Sequence, residues 1–167
     1  MEKSYVFKQF TCILFLFLFA FIADYYIQNV NIDIDSVEMK QSIMFIAISI
    51  LLFVCNQFIY NYAKKEEGFM QHKVWNKMFI VILIWLMISF IVFIFLFFTT
   101  PLESLISSHA WMMFIVAYYF LFFINLLVLS IVHVIVDTSM KVEKKLIITW
   151  ASSSLVIAII LFGLPSF

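Results

Sequence analysis

The sequence predicts an all-α polytopic membrane bundle of about five transmembrane helices, with its N-terminus inside and its C-terminus outside. Three observations carry that prediction: an apolar composition, tracts long enough to cross a bilayer, and a lopsided placement of lysine. Of 167 residues, 66% are hydrophobic and 12% charged, against about a quarter charged in soluble domains. Mean hydropathy is +1.13. A soluble globule of this size would leave large apolar surface in water, because it has too little interior to hide so many apolar residues.

Each span can be justified in order. A bilayer core about 30 Å thick takes roughly 20 apolar residues at a rise of about 1.5 Å each. The first tract, 7–30, has Lys3 before it and Lys8 at its start, and is interrupted late by Asp24, expected near one interface. Its basic start and apolar stretch also fit a signal peptide, which needs small residues at −3 and −1. Cleavage after Ala23 would put Phe21 at −3, and cleavage after Ala20 would put Leu18 there. An uncleaved helix is therefore expected. The second tract, 42–62, lies between Lys40 and Lys64, with no charge inside it. The third, 78–99, lies between Lys77 and Glu103, the fourth, 111–136, between Glu103 and Asp137, and the fifth, 146–164, after Lys145. The whole chain, 1–167, reads as one helical domain.

Orientation follows from the lysines. Lys3 and Lys8 lie at the N-terminal end of the first span; Lys64, Lys65, Lys73 and Lys77 lie in the second loop; Lys141, Lys144 and Lys145 lie in the fourth. With five spans only Lys40 falls on the other side, and the positive-inside rule makes the lysine-rich side cytoplasmic. Four or six spans would break the alternation. Tyr25, Tyr26 and Trp111 fall at the outer ends, and Tyr60, Tyr62, Trp75 and Trp150 at the inner ends, where aromatic rings anchor at headgroup level. The segment 64–77 reads either as a short amphipathic turn on the inner surface or as a hydrated connector. KVWNKMF and KVEKKLI both open spans, a likeness expected of lysine-flanked helix starts.

Composition and motifs narrow the function. Net charge is zero, so no basic field invites nucleic acid. Every cation except histidine is lysine, and there are 22 Phe. That bias points to an AT-rich bacterial genome, so no Phe stripe is read as a ligand box. Gly68, Gly163, Pro101 and Pro165 all lie outside the span centres, leaving no mid-membrane break of the kind transporters use. No potassium-channel filter sequence occurs. His72, His109 and His133 are too far apart for a metalloprotease motif, and Cys12 and Cys55 form no CxxC pair. The two thiols are expected at similar depth on neighbouring antiparallel helices, as packing residues. Asp24 and Asp137 fall near opposite faces and cannot share a proton. Asp33, Asp35 and Glu38 lack the loop length and turn glycine of a calcium site. No cofactor or metal is expected.

The residues that need explaining lie in the lipid, where an unpaired amide or ionisable group costs several kcal/mol. On the second span Ser49 and Asn56 share a face, with Gln57 adjacent. On the fourth, Ser130, His133 and Asp137 align, and Asn125 sits about 80° round from His133. On the fifth, Thr149 and Ser152, Ser153 and Ser154 form a hydroxyl cluster, and Ala151, Ser154 and Ala158 a small-residue seam. Only Ser89 lies within the third. These groups can meet in one polar layer, read either as interhelical hydrogen bonding or as a pocket or proton path centred on His133.

The expected class is a non-enzymatic protein of the bacterial plasma membrane. It would act by helix–helix contacts with another membrane protein or with its own copies, and its surroundings are the lipid bilayer. By type alone it resembles membrane immunity proteins against secreted toxins and accessory subunits of secretion or envelope machinery. The alternatives are a small transporter or channel subunit using the Asn56, Asn125 and His133 layer, and a membrane enzyme on lipid-linked substrates depending on Asp137, His133 or Asp24.

Overall fold

The computed structural model describes residues 2–29, 37–66, 68–72, 74–102, 104, 106, 109, 111–136 and 140–163. They form five long helices: α1 (Glu2–Asn29), α2 (Val37–Lys65), α3 (Trp75–Thr99), α4 (Trp111–Ile135) and α5 (Val142–Gly163). All five are long and apolar enough to cross a membrane, and no strand occurs among the described residues. In hydrocarbon a helix is one of the two ways to satisfy every backbone group internally. These sequences offer no proline inside a helix to prevent it.

All the helices except α4 overrun their apolar tracts, most clearly α2, which extends past 42–62 at both ends. Hydropathy measures only the lipid-filled length. A helix continues where charged side chains such as Glu38, Lys64 and Lys65 reach water, so its ends lie in the headgroup zone. Helix α3 stops where sequence chemistry requires. Thr100 is extended, at φ −120° and ψ 166°, as a residue before proline must be. Its N–H and hydroxyl both turn back to the Leu96 carbonyl, at 3.1 and 2.6 Å.

Neighbouring helices run antiparallel. Gln9 and Cys12 near the start of α1 reach Phe58 and Asn61 near the end of α2. Ser49, Asn56 and Tyr60 of α2 meet Ser154, Leu146 and Glu143 of α5, and Trp85 of α3 meets Tyr119 of α4. Lys8, Lys64, Lys65, Lys77, Lys141, Lys144 and Lys145 therefore gather at one end of the bundle, with Lys40 at the other. Helices α2, α4 and α5 pack mutually; α1 lies against α2 and α4, and α3 lies chiefly against α4.

The segment joining α2 to α3 closes the lysine-rich end. Gly68 turns left-handed, at φ 91°, a conformation open to glycine without strain. A short 3₁₀ turn, Phe69–Gln71, then folds inward. Phe69 sets its ring edge-on to Tyr62 and Trp75, at 4.9 and 5.1 Å, and Met70 joins Ile59, Trp75, Leu129 and Leu146 in the apolar core. The segment is thus amphipathic, with Phe69, Met70 and Trp75 turned into the bundle while Lys64, Lys65, Glu66 and His72 stay exposed. Trp75 is 4% exposed, and its indole donates to the Phe69 carbonyl at 2.7 Å. It is a core residue rather than the interfacial anchor its position suggested, because Phe69 and Met70 cover it.

Lipid-facing hydroxyls are satisfied within their own helices. Thr11, Ser42 and Thr99 donate to the carbonyls of Phe7, Glu38 and Phe95 at 2.7–2.9 Å, the four-residue back-bond open to Ser and Thr.

Candidate functional site

A polar strip runs down the centre of the bundle, and helical periodicity builds it. On α5, Lys145, Thr149 and Ser153 recur every four residues and share a face. They are 1%, 0% and 2% exposed. On α4 the same spacing aligns Asn125, Leu129 and His133, and on α2 spacings of four and three set Asn56 beside Leu52 and Ile59; all are buried. The three faces meet.

At their junction Asn125 Nδ2 donates to Asn56 Oδ1 at 2.8 Å. Asn56 Nδ2 donates in turn to the Leu146 carbonyl at 3.2 Å. Ser153 Oγ donates to Asn125 Oδ1 at a long 3.4 Å. Two amides and a hydroxyl thus tie α2, α4 and α5 together, each amide using its oxygen and its nitrogen. Further along the α2–α5 seam, Ser49 and Ser154 share a hydrogen bond of 3.3 Å, and the Trp150 indole donates to the Ser49 carbonyl at 3.0 Å.

Toward the lysine-rich end lies a different group. Lys145 Nζ is 3.3 Å from His133 Nδ1. With Lys145 as an ammonium, which only donates, Nδ1 is the acceptor and the neutral imidazole carries its proton on Nε2. Trp75 covers the imidazole, with ring centroids 5.8 Å apart. The Thr149 hydroxyl returns to the Lys145 carbonyl at 2.8 Å. The Ser130 hydroxyl, 0% exposed, has no hydrogen-bond partner among the described residues.

The structure treats the residues expected in one polar layer unequally. Asn56, Asn125 and Ser153 are brought together. His133 pairs with Lys145, two turns along α5 from Ser153. Gln57 bonds Asn61 of its own helix at 3.1 Å, outside the strip. Ser152 is half-buried and takes no part in these bonds, and Asp24 lies near the far end of α1. Asp137 lies outside the described residues, as do Asp33 and Asp35. The groups form a strip along α5, spread over about 12 Å between Lys145 and Ser153 at the helical rise, rather than one layer at one depth.

Two participants escaped sequence reading. Lys145 was counted only as a flanking charge; its spacing of four from Thr149 and Ser153 was the available signal. Tyr119 has no such signal, yet its hydroxyl meets both the Trp85 indole and the Ser89 hydroxyl at 2.8 Å, clasping α3 to α4. Cys12 and Cys55 are buried free thiols on packed, antiparallel α1 and α2, and Asn61 Nδ2 approaches the Cys12 sulfur at 3.9 Å. Among the described residues no three His, Cys, Asp or Glu side chains cluster for a metal.

Five apolar helices around a buried polar strip define a small multi-pass membrane protein. No protein-family model, curated protein or solved structure matches the chain.

Proposed function

We propose that this protein is a non-enzymatic membrane component of immunity or accessory-subunit type, acting through contacts between its helices and those of another membrane protein. In this reading it resides in a bacterial plasma membrane with the lysine-rich end in the cytoplasm. One observation carries the proposal. The interior amides Asn56 and Asn125 satisfy each other, Ser153 and a carbonyl, while α3 buries only Trp75 and Ile82 along its length. These two amides hold helices together, and the exposed face of α3 is apolar. In lipid, helices associate by packing and a few hydrogen bonds, so a surface of this kind meets either lipid or another helix.

Reconstitution tests it. Vesicles containing the purified chain should pass no more solute or protons than protein-free vesicles. In cells, a photocrosslinker at Ile84 or Phe95, both exposed on α3, should capture one defined membrane protein. A crosslinker at Phe17, exposed on α1, should not capture it. Flux that Asn125→Ala or His133→Ala abolishes would overturn the proposal in favour of a transporter or channel subunit. The observation favouring that second reading is the Lys145–His133 pair, an ionisable couple 1% and 3% exposed inside the bundle. A reporter fused after Phe167 that proved cytosolic would overturn the orientation alone.

A further inference from the structure

A groove of about 420 Å³ opens between α2 and α5, within the range of about 300–1,000 Å³ typical of small-molecule sites. It follows α2 from Phe53 to Tyr60, about 10 Å at the helical rise. Its deep end is closed by Phe53 and Trp150, edge-on with ring centroids 6.5 Å apart, and Gln57 and Ile147 line its length. The other end is polar and lies at the lysine-rich end of the bundle. There the Tyr60 hydroxyl donates to Glu143 Oε1 at 3.1 Å, and Lys64 Nζ stands 5.7 Å from the centre of the Tyr60 ring. An apolar slot thus ends at one tyrosine flanked by a carboxylate and an ammonium.

We propose that this groove binds a single ethanolamine phospholipid drawn from the bilayer, one acyl chain in the slot and the headgroup at its mouth. The paired charges select the headgroup. A purely anionic lipid has no cation for Glu143, whereas a zwitterion offers its ammonium to Glu143 and its phosphate to Lys64. Tyr60 occupies Oε1, leaving Oε2 to accept a charge-assisted hydrogen bond. Ethanolamine has N–H donors for that bond; choline has none. The wall of Phe53, Ile147 and Trp150 supplies the apolar contact that a free headgroup cannot use. This site stands independently of the helix-contact reading above.

Native mass spectrometry of the full chain, after exchange into micelles with equal amounts of ethanolamine, choline and glycerol phospholipids of matched chains, tests it. The ethanolamine lipid should be retained above both others. Glu143→Gln keeps the acceptor for Tyr60 but removes the charge. It should weaken ethanolamine retention about tenfold, the scale of one charge-assisted bond, with helix content unchanged by circular dichroism. Glu66→Gln, a carboxylate at the same end that does not line the groove, should change nothing. Ile147→Trp should reduce retention of all three lipids by filling the slot, and soluble phosphoethanolamine should displace none. Equal retention of the three headgroups, a preference for the glycerol lipid, or an ethanolamine preference that survives Glu143→Gln would each overturn the assignment. Displacement by phosphoethanolamine at matched concentration would remove the acyl-chain half of it.

Discussion

Replacing Asn56 and Asn125 by alanine, singly and together, should reveal a bond that the two residues share and that neither makes alone. Asn125 is 0% and Asn56 5% exposed, and their hydrogen bond is 2.8 Å long. Water cannot substitute for it. Interhelical side-chain bonds in membranes contribute about 0.6 kcal/mol on average and up to about 1.7. Asn125→Ala strands Asn56 Oδ1, frees Ser153 Oγ and leaves a small void, so a cost of about 1.5–3 kcal/mol is expected. Asn56→Ala strands Asn125 Nδ2 and gives up the link to Leu146, at a similar cost. The shared bond counts once in the double variant, which should therefore be destabilised by about 0.6–1.7 kcal/mol less than the sum of the singles. Reversible unfolding by detergent titration, followed by far-ultraviolet circular dichroism, reads all four stabilities. Ser153→Ala should couple to Asn125→Ala more weakly, because its bond is 3.4 Å. Additivity of the Asn56 and Asn125 singles within about 0.3 kcal/mol would refute the strip as the tie between α2, α4 and α5.

Tyr119→Phe removes one hydroxyl that serves both Trp85 and Ser89; it should lower stability by about 1–2 kcal/mol and shift the Trp85 fluorescence, read against a Trp85→Phe control. Ile88→Arg places a charge at an exposed position, 52% accessible, near the middle of α3. If that face meets lipid, membrane insertion should become about 2.5–3.5 kcal/mol less favourable, visible as a lower share of chain resisting alkaline extraction, whereas in water the same change would cost little. Cys12 and Cys55 are buried thiols, so a membrane-permeant maleimide should label both slowly in the folded chain and rapidly after denaturation; rapid labelling of folded Cys55 would show that α1 and α2 do not pack as described.

The five helices were legible because lipid enforces a simple rule: a long tract without charge must be a helix. Their ends were less legible. Lys145 looks like a boundary marker by charge, yet α5 begins at Val142 and carries Lys145 into the core at 1% exposure. Trp75 looks like an interfacial anchor by type and position, and only the fold of Phe69–Gln71 over it makes it a core residue. For the strip, spacing on single helices placed Asn56, Asn125 and His133 on inward faces. It could not say which would meet, because that depends on the axial register between helices. Asn56 meets Asn125 through the parallel α2–α4 register, and His133 meets Lys145 across the antiparallel α4–α5 turn. Ser130 shows the opposite limit: its inward face was readable, but the absence of a partner among the described residues was not.

Without water between them, two apolar helices gain little by preferring each other to lipid, so polar bonds decide which contacts in this bundle are specific. Those bonds are unevenly distributed. Helix α5 engages α2 through Leu146, Trp150 and Ser154 and engages α4 through Lys145 and Ser153. Helix α1 reaches α2 through Gln9 and Cys12. Among the described residues, the side-chain hydrogen bonds from α3 to other long helices are those of Trp85 and Ser89, and both converge on Tyr119. Helices α1 and α3 are thus each tied to other long helices by two side-chain hydrogen bonds among the described residues, and those of α3 share a single hydroxyl. A partner helix laid along the exposed face of α3 would displace lipid without disturbing Asn56 or Asn125. In the proposed reading, recognition and internal cohesion would fall on different helices, so that a surface on α3 could vary while the strip keeps the bundle intact.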